Sequence, residues 1–205
     1  MKILLFGATG RVGRAVLDIA LSAGHDLTVL VRNKNKIKNH HPKLEIVEGD
    51  IYNWPLLNNL AQRDIDVIIN VIGADPSKPS TLVADSAEAI KGLFADRNIK
   101  YLAISGIAQM KKTFYGRLSV LLLKFTEVKN AIKDHQKAYN VIKSSSLDWT
   151  LIGCPYILDG HTNNEYRKSE IFPGGFKTIH PGDVAIAITE EMNKNNNKKI
   201  IGIWY

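Results

Sequence analysis

The sequence predicts an α/β fold, a doubly wound and mostly parallel sheet covered by helices on both faces. Three observations carry this. Short apolar runs recur at Lys2–Phe6, Leu27–Val31, Val67–Val71 and Tyr101–Ile104, as in parallel strands buried on both faces. Segments of helical apolar spacing alternate with them. The first run breaks into a turn punctuated by Gly7, Gly10 and Gly13, and a helical pattern follows at once.

Each element has its own signal. After the glycine turn, Ala15–Ala23 keeps helical spacing, and Gly24 stands where a C-cap glycine belongs. Leu27–Val31 is the second strand and runs straight into Arg32. Leu44–Val47 is a third, closing on Glu48, Gly49 and Asp50, and Asn53 is placed to cap a short helix through Leu60. Val67–Val71 is the fourth strand, followed by Ile72-Gly73, a polar proline-bearing loop and a long helix from about Thr81 to Asp96. Tyr101–Ile104 is the fifth strand and ends at Ser105-Gly106. Ile107–Thr126 reads as a loop and then a helix with a greasy face at Leu118, Leu121, Leu122 and Phe125. Val128–Lys143 is another helix and Trp149–Ile152 the sixth strand. Cys154-Pro155 interrupts the chain, and Tyr156–Phe176 reads as irregular. Pro181 opens a last helix through Met192, and Ile200–Trp204 is the final strand. With no repeat or linker, residues 1–205 read as one domain, with insertions at about 106–126 and 156–177 that build a substrate pocket.

The glycine turn carries the chemistry. Gly7 allows a sharp exit from the strand, Gly10 lets backbone approach a pyrophosphate, and Gly13 allows close helix–sheet packing. Free N–H groups at a helix start favour the negative charge. The spacing is G-x-x-G-x-x-G rather than G-x-G-x-x-G, so the specificity lies in its context between strand and helix. A doubly wound sheet holds its ligand at the carboxyl ends of the strands. The predicted cleft is therefore Gly7–Val12, Arg32, Asp50-Ile51, Val71–Gly73, Ser105-Gly106 and Gly153–Ile157. An acidic residue ending the second strand would select NAD; Arg32 stands there and suits a 2′-phosphate, with Arg11 and Lys34 or Lys36 able to assist. The expectation is NADP(H) preferred over NAD(H).

Bulk composition narrows the class. Hydrophobic residues make up 45% and charged residues 23%, as in an ordinary globular chain. The net charge of +7 comes from lysines spread along the chain without a basic-aromatic motif, so no nucleic-acid partner is expected. No apolar run is long enough for a membrane span or reads as a signal peptide. The lone Cys154 excludes an internal disulfide and suits a reducing compartment, hence the cytoplasm. The six histidines show no zinc spacing, and no metal is expected.

Taken together, GATGRVG at Gly7–Gly13, VRN at Val31–Asn33, EGDI at Glu48–Ile51, AISG at Ala103–Gly106, KAYNVIKSSSLDWTLIGCP at Lys137–Pro155 and HPGDVAIAI at His180–Ile188 resemble the short-chain dehydrogenase/reductase superfamily. The resemblance is to its atypical branch of NmrA-like and flavin-reductase or biliverdin-reductase-B-like proteins, and covers nearly the whole chain. It implies a Rossmann NAD(P)-binding domain. It implies that Thr9, Gly10, Arg11 and Val12 hold the pyrophosphate, that Asp50 and Ile51 flank the adenine, and that Val71, Ile72 and Gly73 line the ribose. Ser105 would lie beside the nicotinamide, Lys137 would bond its ribose, and Pro155, Tyr156 and Ile157 would cover the carboxamide. Ser105 and Lys137 are thus the candidate catalytic pair.

The departures from that pattern shape the activity. Ketone-reducing members carry a tyrosine four residues before the lysine, where this chain has Lys133, and an ammonium with an ordinary pKa near ~10.4 is a poor acid at neutral pH. Relatives often have an arginine where Gly153-Cys154 stands. The expected function is hydride transfer from NAD(P)H to a flavin, quinone or similar conjugated small molecule, whose proton comes from water. The alternative is a non-catalytic NADP-binding redox sensor that binds a partner protein. His135 is a tempting acid but reads rather as a solvated helix residue, and Tyr156 is the best of Tyr115, Tyr139 and Tyr156 for stacking on a flat acceptor. The greasy helix reads first as core or pocket lid, then as a homodimer face, and last as a membrane attachment.

Overall fold

In the computed structural model, which describes residues 1–205 apart from Ala95, Asn98, Asn196 and Asn197, strand β1 (Lys2–Phe6) turns into helix α1 (Arg11–Ser22). The chain continues through β2 (Asp26–Val31), β3 (Leu44–Glu48), α2 (Trp54–Ala61), β4 (Val67–Asn70), α3 (Leu82–Phe94) and β5 (Lys100–Gly106). Then come β6 (Lys111–Lys112), α4 (Phe114–Leu123), α5 (Lys129–Lys143), β7 (Asp148–Cys154) and β8 (Tyr156–Ile157). The last part holds β9 (Arg167–Ser169), β10 (Ile171–Phe172), β11 (Thr178–Ile179), α6 (Pro181–Glu191) and β12 (Lys199–Trp204). The expected helix from Thr81 to Asp96 is α3, and Ala95 within that expectation lies outside the described residues.

The main sheet has the order β3-β2-β1-β4-β5-β7-β12-β9. Every pair is parallel except β12 with β9. Winding runs outward one way from β1 through β2 and β3, and the other way through β4, β5, β7 and β12. The reversal between β1 and β4 is the switch point at which such sheets leave a crevice. This is the doubly wound, mostly parallel sheet that the apolar runs predict.

Burial on both faces explains why those strands lack alternation. On one face α1 and α6 bring Val16, Leu17, Ala20, Val184 and Ile188 into a core with Leu5, Val29 and Ile69. On the other, Leu57, Leu60, Ile90, Phe94 and Ile142 from α2, α3 and α5 join Leu4, Phe6, Ile68 and Tyr101. Local signals end the helices as expected: the Asn53 side chain accepts from Leu56 N–H at α2, and Pro181 opens α6.

Two expectations need correction. Tyr156–Phe176, read as irregular, contains β8, β9 and β10. Each is two or three residues long and is held by a distant partner: β8 by β11, β10 by β6, and β9 by β12. Segments so short carry no periodic pattern, since long-range pairing alone makes them strands. The greasy face of the 106–126 segment is also not core. Leu118, Leu121, Leu122 and Phe125 are exposed, while Gly116 and Val120 are the buried residues of α4. The helix seats its small side on β10, where a Cβ on Gly116 would lie 2.5 Å from the Phe172 carbonyl oxygen.

Candidate functional site

The glycine turn lies at the carboxyl end of β1, against the backbone that leaves β4. Gly7 has φ +87, and a Cβ there would sit 2.7 Å from the Val71 carbonyl carbon. A Cβ on Gly13 would come within 2.0 Å of the Gly7 oxygen, so helix and turn pack backbone to backbone. Gly10 is exposed, and a Cβ on it would meet only the Gly7 oxygen, at 3.3 Å. Its bare backbone therefore borders open space. Gly10 N–H donates to Gly7 O, and the first helical bond runs from Arg14 N–H to Gly10 O. The N–H groups of Arg11, Val12 and Gly13 precede that bond and form the donor end of α1. An anion fits this cradle. Val12 is buried among α1's core residues, so it offers only its N–H.

The Arg11 side chain reaches across the crevice. Its Nη1 donates to Ile157 O at 3.1 Å and to Asp159 Oδ1 at 3.0 Å. The glycine turn and the segment Pro155–Ile157, both predicted for the cleft, are thus joined directly. In this arrangement the guanidinium is engaged with that segment.

On the β2–β3 side of the crevice, Arg32 follows β2 and is exposed, with no hydrogen bond or ion pair among the described residues. Lys34, a predicted helper, is occupied: its N–H donates to Glu48 Oε1 at 3.2 Å and its Nζ lies 3.9 Å from Glu48 Oε2. Asp50 Oδ1 accepts from Tyr52 N–H at 3.1 Å, which fixes the turn after β3. Ile51 is buried in the core, so its side chain supports this wall from beneath. Val71 is buried, Ile72 half-buried and Gly73 exposed.

Beneath the crevice lies a polar network that the sequence reading missed. Asn70, at the end of β4, donates to Ser86 Oγ at 2.9 Å and to Tyr101 Oη at 3.1 Å, while its Oδ1 accepts from Ile72 N–H at 3.2 Å. Asn70 therefore fixes the path of Val71–Gly73. Burial pushes the Tyr101 phenol well above its usual range, so it stays protonated. An asparagine closing an otherwise apolar strand was the signal available in the sequence.

Ser105, the residue before the last in β5, is 3% exposed, yet its Oγ has no hydrogen-bond partner. It faces a small cavity with Asn70, Tyr101, His135 and Tyr139. His135 comes from α5, and burial lowers its pKa, with the Asp134 charge opposing in part. Asp134 is itself buried and accepts from Val83 N–H at 3.1 Å and Ala84 N–H at 2.9 Å. A carboxylate on α5 thus caps α3, satisfies its orphan donors and sets the rotation of α5.

That rotation decides which predicted partner meets Ser105. Positions 134, 138 and 142 lie on the buried side of α5. Lys137 is exposed and does not line the Ser105 cavity; Lys133 is exposed as well. The predicted pairing of Ser105 with Lys137 is not brought together, and His135 takes that place. Tyr156 is half exposed and lies 6.4 Å, ring to ring, from Phe176. Cys154 is buried, which pushes its thiol far up and leaves it inert. No group of three or more His, Cys, Asp and Glu among the described residues is placed to hold a metal ion.

A doubly wound sheet, a glycine turn on a helix N-terminus and a polar pocket further along the same crevice define a dinucleotide-binding protein. The chain belongs to the NAD(P)H-binding family, which matches residues 7–196. It is similar to the Bacillus subtilis protein YwnB, 24% identical over 97% of this chain and 95% of that protein. It is also 24% identical, over 89% of its length, to the phenylcoumaran benzylic ether reductase TP7 of Nicotiana tabacum, and the match takes in 57% of that reductase. Among solved structures it is similar to a Streptococcus pneumoniae protein designated an NADH-flavin reductase, with a TM-score of 0.82 and 24% identity, covering 100% of this chain and 99% of the other. ChuY, an anaerobilin reductase from Escherichia coli O157:H7, matches with a TM-score of 0.81 and 17% identity over 99% and 96% of the two chains. At these identities the structures establish the shared fold, in keeping with the resemblance to atypical short-chain dehydrogenases/reductases.

Proposed function

We propose that this protein is an NADP(H)-dependent oxidoreductase that passes hydride to a flavin, quinone, bilin or similar conjugated acceptor. The observation that carries the reading is the unpartnered Ser105 Oγ, buried beside His135 at the carboxyl end of β5. A buried hydroxyl without a partner costs free energy, and a bound group in the crevice would supply one. Reductase names among the similar proteins point the same way.

The bound cofactor supplies the hydride. The donor end of α1 and the bare Gly10 receive its pyrophosphate, and Arg32, free of any carboxylate, receives the 2′-phosphate. Asp50 and the Val71–Gly73 backbone line the adenosine side. Ser105 Oγ and the uncharged His135 hydrogen-bond the nicotinamide end or the polar edge of the acceptor. With His135 lowered by burial and no tyrosine at position 133, the proton comes from water, which a conjugated acceptor tolerates. The inner parts of the two insertions, Ile107–Met110 and Tyr156–Ile157, bound the acceptor within one NAD(P)-binding domain. Catalysis then rests on positioning.

The test is to follow NADPH absorbance with the purified protein across a panel of flavins, quinones and linear tetrapyrroles. Acceptor-dependent oxidation that falls in Ser105→Ala supports the reading. Tight NADPH binding with no turnover across the panel favours the second reading, a redox-sensing regulator. The exposed positions of Lys133 and Lys137, away from the Ser105 cavity, speak for that alternative.

A further inference from the structure

We propose that the outer face of α4 docks on an anionic lipid surface. Phe114, Leu118, Leu121, Leu122 and Phe125 follow the spacing i, i+4, i+7, i+8, i+11, which lines them along one side of the helix and the turn after it. That side is opposite Gly116 and Val120, the buried residues, so the stripe points away from the core. Phe114 is 77% exposed and Phe125 83% exposed. Tyr115, exposed and 5.7 Å ring to ring from Phe114, extends the patch. Isolated exposed apolar residues are ordinary; a continuous row with two phenylalanines at its ends marks an interaction surface.

Charge identifies the occupant. Lys111–Phe125 contains Lys111, Lys112, Arg117 and Lys124 and no Asp or Glu. Lys111, Arg117 and Lys124 are exposed and make no ion pair among the described residues. Lys112 is the exception: its Nζ donates to Ala108 O and Met110 O, and burial plus the charges of Arg117 and Lys124 lowers its pKa. A second copy of this chain packed by two-fold symmetry would set cation against cation with no carboxylate within the patch. An anionic bilayer surface accepts the aromatic and leucine side chains at its acyl boundary and pairs the flanking cations with headgroups. No helix here is long and apolar enough to cross a membrane, so the contact is one of lying on the surface.

The experiment sediments the whole protein with vesicles of phosphatidylcholine alone and with vesicles containing about a third phosphatidylglycerol, at low and high salt. The expected result is binding at least ~10-fold tighter to the anionic vesicles, weakened by salt. Leu118→Glu with Leu122→Glu removes binding while NADPH affinity stays as in the parent and the protein still unfolds cooperatively, since Leu118 is 49% and Leu122 59% exposed. Arg117→Gln with Lys124→Gln weakens binding to anionic vesicles. Failure to sediment with anionic vesicles overturns the proposal, as does undiminished binding of the double glutamate variant. A concentration-dependent dimer of the parent that the glutamate variant abolishes also overturns it, in favour of a face between copies.

Discussion

Ser105 at the end of β5 and His135 on α5 face the same small cavity, and neither has a charged partner within it. What brings them together is Asp134, the neighbour of His135, whose carboxylate accepts two N–H groups at the start of α3. A structural cap and a site residue are adjacent in sequence, so the rotation that satisfies α3 also aims the imidazole.

Ser105→Ala and His135→Gln are expected to lower kcat by about tenfold or more, a loss of roughly 1.4 kcal/mol of transition-state stabilisation each. NADPH affinity should change little, because the residues proposed to hold the pyrophosphate and the 2′-phosphate lie elsewhere in the crevice. Lys137→Ala should stay within about twofold of the parent. Steady-state kinetics on the best acceptor of the panel decides this, and a large loss in Lys137→Ala alone would remove Ser105 and His135 from their assigned place.

Arg32 should set the cofactor preference. The parent is expected to bind NADPH at least tenfold more tightly than NADH, about 1.4 kcal/mol. Arg32→Asp should abolish or invert that ratio by rejecting the 2′-phosphate. Lys34→Ala should matter less, since Glu48 already holds that ammonium. Titration of both cofactors by calorimetry reads the ratios directly, and equal affinity in the parent refutes the assignment.

Stability should fall on the acid side of neutrality through His135. Burial lowers its folded pKa below the ordinary 6.5. Below that value the unfolded chain takes up a proton that the folded protein refuses, so unfolding is favoured as pH drops from about 6.5 toward the folded pKa. Above it the contribution is flat. His25 shifts in the same direction, so the informative quantity is the difference between the parent and His135→Gln. Urea midpoints measured at several pH values should show a shallower acid slope in the variant.

Asp134→Ala should cost about 2–3 kcal/mol of stability, because it leaves two buried N–H donors of α3 without an acceptor. Asp134→Asn, which retains one acceptor oxygen, should recover part of the loss. Thermal unfolding of the three proteins checks the order. Activity of the folded Asp134→Asn variant should fall as well, through the altered aim of His135.

The sequence by itself determined the sheet and the glycine turn between β1 and α1. Apolar runs of four or five residues between turn residues are too short for buried helices and read as strands buried on both faces, and a glycine turn between strand and helix needs no distant partner to be recognised. The places of Arg32 and Ser105 in the fold were legible for the same reason, as Arg32 directly follows β2 and Ser105 lies one residue from the end of β5. Tertiary structure decided the rest. Whether residue 135 or 137 meets Ser105 is a matter of helix rotation, set by a carboxylate that caps another helix. The two- and three-residue strands of the 156–179 segment exist only because distant backbone pairs with them. The apolar stripe of α4 read first as core or pocket lid, because periodicity reveals that a helix has two faces without revealing which face the fold covers. Here the covered side is the one with Gly116, where backbone can approach most closely, and the leucines are left outside.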